Sequence, residues 1–128
     1  MNLNVLDKVF QKVKSHLISK SKYSPHIVKS VPLKPKYPLV VVSEIDNYEI
    51  DRTTLNEEII DGYIYEFDIY AANKEEGSNK IAGMEIAREL AGLIDEVMKR
   101  GGAKRMFARP TPNVARTLFR MTMRYRIN

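Results

Sequence analysis

The sequence predicts an α+β fold: two helices packed on one face of a mostly antiparallel four-stranded sheet. Three observations predict it. Two stretches repeat apolar residues at three- and four-residue spacing, which is one face of a helix. Four others are rich in β-branched and aromatic residues, which favour a pleated, half-buried surface. Their order along the chain is α-β-β-α-β-β, an arrangement that puts helices on one side of an antiparallel sheet. At 128 residues the chain is expected to form one domain with a real core. It divides into an N-terminal helix over 1–18, a Pro/Lys-rich connector over 19–36, and the sheet with the second helix over 37–128.

Each element has its own reason. Leu3, Leu6, Val9, Phe10, Val13 and Leu17 predict a helix over about 3–18, with Asn2 or Asn4 as its cap. Lys8, Lys12 and Lys14 lie off that stripe. Pro25, Pro32, Pro35 and Pro38 in "SKSKYSPHIVKSVPLKPKYP" fix φ and bias their predecessors, so an extended connector is expected. "LVVVSEI", residues 39–45, reads as a strand. The acidic stretch from Asp46 to Gly62 reads as a long, mobile loop.

In "YIYEFDIYA", residues 63–71, side chains alternate across the pleat. Tyr63, Tyr65, Phe67, Ile69 and Ala71 share the core face; Ile64, Glu66, Asp68 and Tyr70 share the other. A helix is expected over about 79–100, capped by Ser78 or Asn79, with Ile86, Leu90, Ile94 and Met98 on its apolar face. Asp95 with Lys99 and Glu96 with Arg100 have the favourable i,i+4 order. Gly101 and Gly102 end it. "AKRMFAR", "PTPNV" and "ARTLFRMTMRYRI" read as strand, loop and strand. In the last, Thr117, Phe119, Met121, Met123, Tyr125 and Ile127 oppose Leu118, Arg120, Thr122, Arg124 and Arg126.

Composition narrows the chemistry. With no cysteine, disulfides, thiolate nucleophiles and zinc–thiolate sites are excluded. No apolar run approaches the roughly 20 residues of a membrane span, and the N-terminus lacks a secretory pattern, so a soluble intracellular protein is expected. The net charge of +5 hides a segregation. Residues 1–36 hold eight lysines against one acid; residues 37–98 hold fifteen acids against four bases; residues 99–128 hold nine bases and no acid. Such blocks either meet partners or fold back on one another.

The candidate chemical groups are few. Glu66 and Asp68 are two carboxylates on one strand face, but a metal-dependent nuclease would add a lysine two places beyond the glutamate, where Asp68 stands. His16 and His26 have no second ligand at metal spacing. No Gly-x-Ser-x-Gly turn or glycine-rich phosphate loop is present. Arg105, Arg109, Arg116, Arg120, Arg124 and Arg126, interleaved with Phe107, Phe119 and Tyr125, could bind single-stranded nucleic acid. Yet Phe119 and Tyr125 face away from Arg120 and Arg124. The expected alternative is cross-strand pairing of arginines with Glu66 and Asp68, worth about 0.2–1 kcal/mol per pair. No catalytic, cofactor or metal residue is assigned.

The segments "YPLVVVSEI", "YIYEFDIYA", "AGMEIARELAGLIDEVM" and "RTLFRMTMRYRI", in that order over about residues 37–127, resemble the tail terminator (tail completion) proteins of long-tailed bacteriophages and related minor neck proteins. The resemblance implies a small virion subunit, made in the host cytoplasm, that forms a ring, typically a hexamer, on the tail tube. It stops tube growth and offers a docking surface to the head. It implies contacts with copies of itself, with the tail tube protein and with a head-completion or connector protein, with DNA only as passing cargo and no membrane or cofactor. The subunit can remain monomeric in solution. The implied contact residues are Asp46, Glu49, Asp51, Glu57, Glu58 and Asp61 in the loop, Glu66 and Asp68, and Arg116, Arg120, Arg124 and Arg126. A nucleic-acid-binding module using the arginine hairpin is the alternative.

Overall fold

The computed structural model describes residues 5–45, 63–111 and 117–127. Helix α1 runs Val5–Lys20, two residues beyond the predicted end, with Ser21 N–H donating to the Leu17 carbonyl at 2.9 Å. Its stripe Val9, Phe10, Val13 and Leu17 is buried. Leu3 and the proposed Asn2 or Asn4 cap lie outside the described residues.

The connector contains a strand that the sequence reading missed. β1 (His26–Val28) pairs in parallel with β2 (Leu39–Ile45), setting Ile27 beside Val40. His26 N–H also donates to the Pro38 carbonyl at 2.9 Å. Three residues are too few to show a period of two. Burial of Ile27 against the core, not local pattern, selects this strand. The sheet is therefore five-stranded and mixed, in the order β1-β2-β3-β7-β6, in place of the expected four antiparallel strands. β3 is Tyr63–Ala72, β6 Lys104–Pro110 and β7 Leu118–Ile127. The α+β class stands.

A second difference lies before α2 (Gly83–Arg100), which begins four residues later than expected. Residues 74–81 form a separate two-stranded ribbon of β4 (Lys74–Glu76) and β5 (Asn79–Ile81). Gly77 takes φ +61 at the first position of its two-residue turn, as hairpins of this length require. Ser78 is therefore a turn residue and Asn79 opens β5; neither caps a helix. The cap comes from farther back: the Asn73 Oδ1 accepts from the Gly83 N–H at 2.8 Å, while Ala82 offers no side chain.

The far end of α2 closes as predicted. Gly102 N–H donates to the Lys99 carbonyl and Ala103 N–H to the Met98 carbonyl, both at 3.0 Å, with Gly102 at φ +86. That is a Schellman ending, and Ala103 and Met98 are both buried beside it.

Both helices lie on one side of the sheet, α2 over β3 and β7 and α1 against α2 and β2. Between them sit Tyr65, Phe67, Ile69, Met123 and Tyr125 of the sheet with Leu90 and Ile94 of α2. The Phe67 and Tyr125 rings meet edge to face, centroids 5.7 Å apart.

Gly83 is where α2 touches β3. A Cβ there would sit 2.5 Å from the Ala71 carbonyl oxygen, a backbone atom that cannot swing aside. Gly83→Ala is expected to lower stability by about 1–3 kcal/mol in urea denaturation, and Asn73→Ala by about 1 kcal/mol. Wild-type stability of Gly83→Ala would mean the helix start is free to move off the strand.

Candidate functional site: the carboxylate–arginine face of the sheet

The alternation that buries Tyr65 and Phe67 turns Glu66, Asp68 and Tyr70 to the opposite face. β7 pairs with β3 so that Glu66 lies across from Arg124, Asp68 from Thr122 and Tyr70 from Arg120. Arg124 Nη2 donates to Glu66 Oε1 at 2.9 Å. Arg120 reaches diagonally: its Nη2 and Nε donate to Asp68 Oδ1 at 3.1 and 3.3 Å. The buried Thr122 hydroxyl donates to the same oxygen at 2.6 Å and accepts from Thr111 Oγ1 at 2.5 Å. The two carboxylates flagged by the sequence are thus bound up with two arginines and a threonine of the same chain. Geometry of this kind gives direction and spacing to a surface, and it leaves both carboxylates engaged by donors.

Two aromatic residues join the arginines on this face: Tyr70, which the alternation of β3 places beside Glu66 and Asp68, and Phe107, whose face the sequence leaves unassigned. Tyr70 comes from β3; the Arg120 guanidinium carbon is 5.3 Å from its ring centroid. Phe107 comes from β6, with Arg124 at 5.1 Å and Arg109 at 4.7 Å. Phe107 arrives there because β6 bulges at Met106: Arg105 pairs with Tyr125 but Phe107 pairs with Arg124. Without the extra residue Arg105 and Phe107 would share a face. Strict alternation inside "AKRMFAR" hides this, and nothing in those seven residues marks the bulge.

The bulge also sends Arg105 to the helix side. There Asp95 Oδ1 accepts from the Tyr125 hydroxyl at 2.8 Å and faces Arg105 Nη1 at 3.4 Å, while Lys99 Nζ lies 2.9 Å from Oδ2. Burial by itself would raise the Asp95 pKa, but the Lys99 and Tyr125 hydrogen bonds and the Arg105 charge outweigh it and hold the carboxyl below its ordinary value. Burial, then the bond to Asp95, pushes the Tyr125 hydroxyl far above its usual range. Tyr70 is also raised, by burial first and by Asp68 next.

The expected Asp95–Lys99 pair is present. Glu96, expected to meet Arg100, is engaged by His16 of α1, Nε2 to Oε2 3.0 Å. His16 therefore ties the two helices together. His26 stands in β1. Among the described residues no group of three His, Asp or Glu side chains is placed to hold a metal ion. Asp46, Glu49, Asp51, Glu57, Glu58, Asp61 and Arg116 lie outside the described residues.

Two tests follow from these contacts. A double-mutant cycle on Glu66→Gln and Arg124→Gln, read by urea denaturation, should give a coupling of about 0.2–1 kcal/mol; zero coupling would mean the pair is only geometric. For Asp95, a folded pKa below 3.8 means the stability it adds is present above that value and lost as pH falls through the folded pKa. The stability gap between wild type and Asp95→Asn should therefore narrow below about pH 4. A gap constant from pH 6 to pH 3 would contradict the network.

No family model and no curated protein sequence matches the chain.

Proposed function

We propose that the protein is a structural subunit of the phage head–tail joint, a tail terminator or completion protein that forms a ring on the tail tube, stops its growth and offers the head a docking surface. The observation that carries the reading is the ordered run of segments from "YPLVVVSEI" to "RTLFRMTMRYRI". Two further features support it. Both described helices gather on one side of the sheet, and among the described residues no helix covers the other face. Charge is segregated along the chain, with fifteen acids over 37–98 and nine bases over 99–128. In a head-to-tail ring the acidic surface of one subunit meets the basic surface of the next, and the contact closes when the rotation fits.

Arg120 and Arg124 have a changed part in this reading. Their charge is engaged by Asp68 and Glu66 within the subunit. They hold the shape of the contact face, and attraction between subunits falls to cations without such partners. Exposed ion pairs are individually weak, so the subunit is monomeric alone and closes into a ring where several contacts act together on the tube.

Native mass measurement of the purified protein, alone and with tail tubes of the phage that encodes it, tests this. A monomer alone and a closed ring of subunits on tube ends is the expected result. Absence from tube ends, with tubes of unregulated length unaffected by added protein, would overturn it.

A further inference from the structure

We infer that the carboxylate–arginine face of the sheet, at its β6–β7 end, is a binding site for single-stranded nucleic acid. This goes beyond the ring reading and does not rest on it. The sequence argument against such a site was that Phe119 and Tyr125 turn away from Arg120 and Arg124. The fold supplies two other rings to the arginine side, Tyr70 and Phe107, the second through the bulge at Met106.

Three guanidinium groups lie within 5.3 Å of those two ring centroids. Two of them, Arg120 and Arg124, are held in place by Asp68 and Glu66, and their side chains remain 28% and 32% exposed. Fixed guanidinium planes beside aromatic rings form surfaces on which unpaired bases stack, with little rotamer freedom left to lose. Arg120 and Arg124 are four residues apart on β7, about 13 Å along the strand, so the face carries two separated stacking centres. Backbone phosphates then need cations that no carboxylate has taken. Arg109 and Lys104 provide them: both are exposed, both lie on this face by register, and neither meets a carboxylate among the described residues. A sheet face with π surfaces suits splayed bases, whereas a duplex keeps its bases stacked inside. An acidic peptide would satisfy Arg109 and Lys104 but would make no use of the rings.

The test uses the full-length protein and a fluorescein-labelled oligothymidine of about 20 nucleotides, read by anisotropy over a salt series. A duplex of equal length and polyglutamate serve as competitors. The expected result is binding to the single strand, weakened about tenfold by Phe107→Ala. Arg109→Ala should flatten the log–log salt slope by about 0.7. Lys12→Ala with Lys14→Ala, on α1 at the far side, should leave binding unchanged. Four results would each overturn the site. They are no binding at low salt, wild-type affinity in Phe107→Ala, displacement by duplex or polyglutamate as effective as by the single strand, and equal loss in the α1 variant. Circular dichroism checks folding; if Phe107→Ala is unfolded, the Arg109→Ala slope decides, since Arg109 is exposed. Mass measurement of the same protein with tail tubes reads ring formation separately, so either reading can fail alone.

Discussion

The ten-residue antiparallel pairing of β3 with β7 sets the rest of the molecule. It runs from Tyr63 opposite Ile127 to Ala72 opposite Leu118 without a break. One side of this ladder places Phe67 against Tyr125, beneath α2. The other places Glu66 against Arg124 and Asp68 beside Thr122 and Arg120. A slip of one residue in either strand would send the aromatic set outward and the charged set into the core. Both faces therefore oppose the same error: apolar burial from one side, uncompensated charge from the other. The ion pairs contribute little energy, and a good deal of specificity, because their loss in the wrong register is expensive.

The same pairing explains how the helices are held. Tyr125 points from β7 into the helix layer and donates to Asp95 of α2. Asp95 in turn gathers Lys99 from its own helix and Arg105 from β6. One carboxylate thus connects α2 to the two strands of the C-terminal hairpin. At the other end of α2, Gly83 rests against the β3 backbone and Asn73 caps it. The helix is pinned at its start by β3 and near its end by β7 and β6. His16 and Glu96 then fasten α1 to it.

Much of this was legible because burial and period agreed. In "YIYEFDIYA" every odd-numbered residue from Tyr65 to Ala71 is buried, as the alternation demands. The C-terminal hairpin, the glycine ending of α2 and the pairing of Glu66 and Asp68 with arginines are legible in the sequence too, though not which arginine meets which carboxylate. What escaped was set by tertiary contact or by very short elements. β1 is three residues held by parallel pairing. The β4–β5 ribbon does carry a signal, the Gly77–Ser78 pair between two short polar runs, but Ser78 and Asn79 fit a helix cap equally well. The bulge at Met106 could not be seen at all, and it decided which residues lie on the candidate site. Phe107 reaches the arginine face by a backbone irregularity, whereas Tyr70 follows from the alternation of β3 together with its pairing to β7.

The bulged strand has one more bearing, on how copies of this chain can meet. A sheet with free margins can extend by adding a strand from another molecule, without limit. Here one margin is β1, only three residues long. The other is β6, which is kinked at Met106, carries Lys104, Arg105 and Arg109, and ends in Pro110. Shortness, kinking, lysine and proline each disfavour strand addition. Growth by sheet extension is thus discouraged at both margins, so the ring proposed above would use side-chain surfaces, where the geometry of contact can terminate an assembly at a finite number of copies.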